Sequence, residues 1–223
     1  MSQTFVIPDI HGRLDLLDQG LAEIAARSNG AKDTIVVIGD YVDKGPASKD
    51  VIDRMMSGVD DKFALVTLKG NHDAMMVDAL RDPSKMADWL TKGGDAALAS
   101  YGGDASRVPQ SHIAWLDRLR LLHVDAHRLY VHAGVDPEAP LDRQHEETLL
   151  WKRYPKGYSQ GFGNLHVVHG HDNDPTGPLL FDGRTNLDTA AWKTGRLTIG
   201  VFDDDRPGGP VDFLVIKGAP ARR

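Results

Sequence analysis

The sequence predicts an α/β fold of two packed, mixed β-sheets flanked by helices, and three patterns carry that prediction. Short β-rich apolar runs recur, each stopping at a glycine and polar cluster: TFVIPDIHG, TIVVIGDYVDKG, FALVTLKGNHD, RLYVHAGVD and LHVVHGHD. Helical spacing fills the gaps between the first of these runs. After His171 the chain returns to strand patterns.

Leu14, Leu17, Leu21 and Ile24 fall on one face of a helix, and Val51, Ile52, Met55 and Met56 do the same. Each helix lies between two β-rich runs, as a βαβ crossover requires. From Asn71 to Leu122 strand signals are few and helical ones several, including a stripe through Trp115, Leu119 and Leu122. This region reads as a helical insert over about 74–122. Beyond His171, NLDTAAW, RLTIGVFDD and VDFLVIKG read as strands joined in hairpins, with Thr194-Gly195-Arg196 making one turn. Gly102 to Pro109 and Asp203 to Pro210 are rich in turn formers but divide nothing, so residues 1–223 are expected to form one domain.

With 41% hydrophobic and 26% charged residues the chain can bury a real core. A net charge of −6 and a pI near 5.9 exclude the electrostatic footprint of a bulk nucleic-acid binder. There is no cysteine, so disulfides and thiolate ligands are excluded and any metal must be held by nitrogen and oxygen. The N-terminal apolar run lacks a basic flank and is broken by Pro8 and Asp9, which reads as neither signal peptide nor membrane anchor. A cytoplasmic enzyme is expected.

Open α/β sheets bind ligands beyond the carboxyl ends of their strands, where each polar cluster here falls. Asp9 and His11 lie two apart in what reads as an extended segment, which turns alternate residues to one side and lets both chelate one ion. Asp40 ends the second run, and its two carboxylate oxygens suit it to bridge two cations. Asn71, His132 and His171 supply a carbonyl oxygen and two imidazoles to a second ion, a set suited to manganese, iron or zinc. Singly, each residue reads as a cap or a solvated group. Together, in a chain without cysteine, they read as a site.

In order, DIHG, GDYVDKG, GNHD, HAG and HGH resemble the signature of the phosphoprotein phosphatase family of metallophosphoesterases. GNHDAMMVDAL, WLTKGGDAAL, LLWKR and NLDTAA further resemble the bacteriophage lambda-type protein phosphatases and their bacterial relatives. The resemblance implies a calcineurin-like sandwich and two divalent ions, manganese foremost. It implies Asp9 and His11 on the first ion, Asp40 as the bridge, and Asn71, His132 and His171 on the second. Of the two histidines in HGH it selects His171 and leaves His169 a structural role. Asp43 resembles the carboxylate partner of a catalytic histidine. Lys44 stands where the family usually has arginine, exchanging a planar fork for a point charge. Arg153 in LLWKR resembles a phosphate-binding arginine.

Such a centre hydrolyses phosphoesters by activating a water between its ions. The leaving oxygen still needs a proton, and His72, next to Asn71, is placed to give it. The expected activity is phosphomonoester hydrolysis on phosphoserine or phosphothreonine in proteins, or on small phosphoesters, without a membrane partner. Cleavage of dinucleoside polyphosphates is the alternative. A noncatalytic metal-binding module is opposed by the completeness of the ligand set. His112, His123, His127, His145 and His166 read as structural, and the Met55-Met56 and Met75-Met76 pairs as core filling. Asp188 reads as part of the site floor with a possible bond to a ligating histidine, and Asp203 to Asp205 as a solvated turn.

Overall fold

The computed structural model describes residues 2–28 and 32–220. β1 (Gln3–Ile7), α1 (Leu14–Arg27), β2 (Thr34–Val37), α2 (Ser48–Met56) and β3 (Ala64–Thr67) come first. The three strands pair in parallel, so the two helices are the predicted crossovers. Next come α3 (Asn71–Arg81), α4 (Met86–Trp89), a π turn at Leu90–Gly94, α5 (Asp95–Ser100) and α6 (Gln110–Asp117), which build the helical insert. The remainder runs β4 (Leu122–Val124), β5 (Arg128–Val131), α7 (Glu146–Trp151), β6 (His166–His169), β7 (Leu179–Leu180), β8 (Arg184–Asn186), α8 (Ala191–Thr194), β9 (Arg196–Asp203) and β10 (Asp212–Lys217).

Two mixed sheets result, ordered β10-β9-β1-β2-β3 and β4-β5-β6-β8-β7. Strand alternation sorts the core into layers. Val6, Val36 and Phe202 of the first sheet meet Tyr130 and Val168 of the second in a dry seam. Phe5, Ile7, Ile35 and Val37 point the other way, against Leu17 and Ile24 of α1, Val51 and Ile52 of α2, and the insert. Outside the second sheet, Leu129, Val131 and Val167 pack with Leu149 of α7. The sandwich flanked by helices is the predicted fold.

Five readings are corrected. The stripe through Trp115, Leu119 and Leu122 is not one helix, because α6 stops at Asp117. The Lys69 N–H donates to Arg120 O at 2.8 Å, drawing the chain alongside the end of β3, and Leu122 then pairs with Val131 across β4 and β5. NLDTAAW contributes only Asn186 to a strand; Thr194-Gly195-Arg196 ends α8 rather than turning a hairpin, with Gly195 at φ 70 as the left-handed cap. Hairpins after His171 instead join β7 to β8 across 181–183 and β9 to β10 across 204–211. Met56 is 41% exposed while Met55 is 3% exposed, since only Met55 continues the buried face of α2. Asp203 is buried and ends β9, and Asp204 accepts a bond from the Thr4 hydroxyl, so this acidic run is tied to β1 rather than freely solvated.

No helix among the described residues is long and apolar enough to cross a membrane. The difference between the paired methionines is measurable. Met55→Ala should cost about 2–5 kcal/mol in urea unfolding, and Met56→Ala should stay within about 0.5 kcal/mol; equal losses would mean that α2 docks differently.

Candidate active site

β1, β2 and β3 run parallel in the first sheet, and β5 and β6 run parallel in the second. Their carboxyl ends deliver, in turn, Asp9 and His11, Asp40, Asn71, His132 and His171, all buried. The segment carrying Asp9 and His11 is a turn and not the extended chain expected, because His11 has φ 46. Ile10 and His11 both donate their N–H to Asp40 O, at 3.1 and 2.8 Å, and this folds the turn against the β2 loop. His11 thereby faces His72, its ring 4.7 Å away at a right angle, whereas Asp9 accepts the His171 N–H.

Asp73 fastens the loops, and sequence reasoning missed it. One carboxylate oxygen accepts from Gly70 N and Asp40 N at 2.8 and 2.9 Å, the other from Tyr41 N at 3.0 Å. Its signal was available: an acid three residues after Gly70 has the spacing of a capping box. The start of α3 then points the His72 N–H at Asp40 Oδ1, 2.9 Å away. Gly70 is required here, since a Cβ would overlap that same carboxylate oxygen.

Donor atoms fall into two buried groups, His11 with Asp40 and His72, and Asp9 with Asp40 and His132, each within 4.8 Å. Asp40 is common to both. Asp9 falls in one group and His11 in the other. Backbone carbonyls set the tautomers: His11 Nδ1 donates to Val42 O at 2.7 Å and His132 Nδ1 to Ile38 O at 3.0 Å, leaving each Nε2 a lone pair turned inward. His132 Nε2 then lies 2.8 Å from Asn71 Oδ1 and 3.6 Å from Asp40 Oδ1, acceptor against acceptor. His171 Nδ1 also meets Asn71 Oδ1, at 3.0 Å, and its Nε2 is buried without a partner among the described residues. Lone pairs converging on lone pairs fit a cation.

The electrostatics agree. Burial lowers the pKa of His11 and His132, and burial together with His132 brings His171 to about 3, so all three imidazoles are neutral donors. Burial opposes ionisation of Asp40, but His132, His72, His11 and Lys44 hold it well below the usual carboxylate range. Burial, then Asp188 and Asp40, push Asp9 well up. Such mutual repulsion is relieved by a positive ion between the acids.

His72 Nδ1 is 2.7 Å from Asp43 Oδ2, and Asp43 is fully buried. Asp43 therefore does more than cap the turn before Gly45. Lys44 reaches inward, its Nζ 2.9 Å from His11 Nε2 and 5.5 Å from the Trp192 ring centre. Arg153 stands at the exposed rim, paired with Asp172 at 2.5 Å, close enough that its charge acts on His171. His169 accepts at Nε2 from Arg184 at 2.9 Å. Asp188 bonds Asn173 and the Ala190 N–H, and no histidine. Among the described residues six other than glycine have positive φ, and five of them are His11, Asp40, Asp43, Lys44 and His171. Backbone strain is thus gathered at this cluster.

A family model described as calcineurin-like phosphoesterase matches residues 3–202. The chain belongs to that family. It is therefore a metallophosphoesterase hydrolase, as the order of its motifs implied. Serine/threonine-protein phosphatase 2 of Escherichia coli is 33% identical over 211 residues, covering 87% of this chain and 90% of the relative. The symmetrical bis(5'-nucleosyl)-tetraphosphatase of Pseudomonas fluorescens is 30% identical over 195 residues, and there the match covers 83% of this chain but spans only 64% of the relative. A Saccharomyces cerevisiae protein serine/threonine phosphatase similar to human PP5 superposes with a TM-score of 0.68 at 14% identity, over 99% of this chain and 81% of that one.

The fastening role of Asp73 can be measured. Asp73→Asn turns an amide toward a backbone donor and should cost about 2–3 kcal/mol in urea unfolding with chelator present. A change too small to measure would remove Asp73 from the framework of the site.

Proposed function

We propose that the chain is a two-metal phosphomonoesterase that dephosphorylates phosphoserine and phosphothreonine in proteins. The observation that carries the reading is the buried Asp40 carboxylate, shared by two donor groups whose imidazole Nε2 atoms are turned toward it by backbone carbonyls. In this reading Asp9, His11 and Asp40 hold one ion, Asp40, Asn71, His132 and His171 hold the other, and manganese suits the oxygen and nitrogen set. Bound there, the ions would supply an activated water and neutralise the phosphoryl oxygens.

The chain's own residues do the rest. Asp43 fixes the His72 ring through Nδ1, which leaves Nε2 to give its proton to the leaving oxygen. Lys44 brings an ammonium to the edge of the centre, and Arg153 adds a guanidinium at the rim for the phosphate.

A protein substrate is supported by an open groove of about 790 Å³ that begins at Lys44 and continues past Pro46, Ala47, Ala96 and Ala99 to Trp192 and Pro220. Its walls suit an extended peptide. The extent of the match to the E. coli phosphatase supports the same reading. Hydrolysis of dinucleoside polyphosphates is the second reading, favoured by the indole of Trp192 beside Lys44, a surface on which a base can stack.

With manganese, kcat/KM should be higher for phosphoserine peptides than for diadenosine tetraphosphate; the reverse order would establish the second reading. No turnover of either substrate, nor of para-nitrophenyl phosphate, would sink both. His72→Ala should lower kcat on the peptides by roughly 10²-fold or more, with bound manganese unchanged by elemental analysis. Loss of the metal instead would make His72 a ligand.

A further inference from the structure

We propose that Trp89, carried by the helical insert, is a positioning residue that holds Asp43 and, through it, the proton-donating imidazole of His72. The inference rests on the reading of His72 as the donor. Trp89 is 1% exposed, and its indole N–H lies 3.0 Å from both Asp43 carboxylate oxygens. Asp43 Oδ2 accepts in turn from His72 Nδ1 at 2.7 Å. The chain of contacts therefore runs from the core of the insert to the reacting end of the site.

The local sequence WLTKGG is shaped for this contact. The π turn at Leu90–Gly94 follows Trp89 directly and folds Gly94 back over the indole, where any Cβ would overlap the ring. One residue earlier, Gly93 O accepts the Lys44 N–H at 3.0 Å. The insert is thus joined to two successive residues of the loop after β2, at the Asp43 side chain and the Lys44 backbone. A buried indole needs an acceptor, and a backbone carbonyl would serve. Here the acceptor is the carboxylate that anchors His72.

A carboxylate held by one donor can rotate about its terminal torsion, which is broad. The second donor, from Trp89, removes that freedom and fixes the direction of His72 Nε2. As the P–O bond breaks, its electron pair goes to the leaving oxygen, which takes the proton from Nε2. A misdirected ring slows this step most where the leaving oxygen is most basic.

Trp89→Phe keeps an aromatic ring in the slot and removes only the donor. The readout is kcat on a phosphoserine peptide, whose alkoxide must be protonated, relative to kcat on para-nitrophenyl phosphate, whose phenolate leaves unaided. We expect that ratio to fall about tenfold, a part of the roughly 10²–10⁴-fold that general acid catalysis supplies, with KM for the peptide unchanged. Gly94→Ala, which forces the indole aside, should lower the ratio in the same direction. An unaltered ratio in both variants, at a wild-type unfolding midpoint, overturns the proposal. His72→Ala is the reference: an unaltered ratio there overturns the donor reading itself, whereas a fall there with none in the Trp89 and Gly94 variants overturns only the role of Trp89.

Discussion

Asp40 is 1% exposed, and a carboxylate so far from water would take up a proton if its charge were not met from nearby. It is met from several directions. His11, His132 and His72 surround the side chain, Lys44 adds a full charge, and the His72 N–H at the start of α3 donates to it. No local segment could supply that set. The partners come from the ends of β1, β2, β3 and β5, so the buried charge is met only where the two sheets are packed together. The apolar seam of Val6, Val36, Tyr130, Val168 and Phe202 accordingly does more than bury surface. It sets the separation across which His132 reaches Asp40.

The same requirement accounts for the strained backbone. Straight strands would carry Asp9, Asp40 and His171 past one another, so each loop must turn back sharply to bring its side chain over the strand ends. His11, Asp40, Asp43, Lys44 and His171 all adopt positive φ, a conformation that costs an ordinary residue of order 1–3 kcal/mol. Asp73 offsets part of that cost by accepting from Gly70, Asp40 and Tyr41 together. The buried sheets beneath provide the stiffness, since a packed core does not yield to relieve strain at its edge.

Legibility in the sequence follows the range of the interaction. The candidate ligands were readable because a strand, a glycine and a polar residue are contiguous, and the strand ends of a parallel sheet share one crevice. The crossovers α1 and α2 were readable from spacing. What could not be read depends on distant pairing: Leu122 leaves the helical stripe because Val131 lies opposite it, and NLDTAAW is drawn out of a strand by the turn around Asp188 and Ala190. The extended backbone expected at Asp9 and His11 failed for a related reason. Two residues at alternate positions share a side only if the backbone is extended, and contact with Asp40 O bends it.

The insert illustrates the limit best. Its helical character was plain, yet nothing in periodicity tells a surface helix from one whose end reaches the site. Trp89 and Gly93 lie far along the chain from Asp43 and Lys44, but they fix a side chain and a backbone amide of those two residues. This bears on the departure at Lys44. An arginine would present a planar fork to phosphate; a lysine offers a compact charge whose direction depends on its neighbours. With its amide held by Gly93, and its ammonium between His11 Nε2 and the Trp192 ring, Lys44 has its direction set by the insert on one side and the centre on the other. Direction that the side chain does not carry in its own shape is supplied by the fold around it.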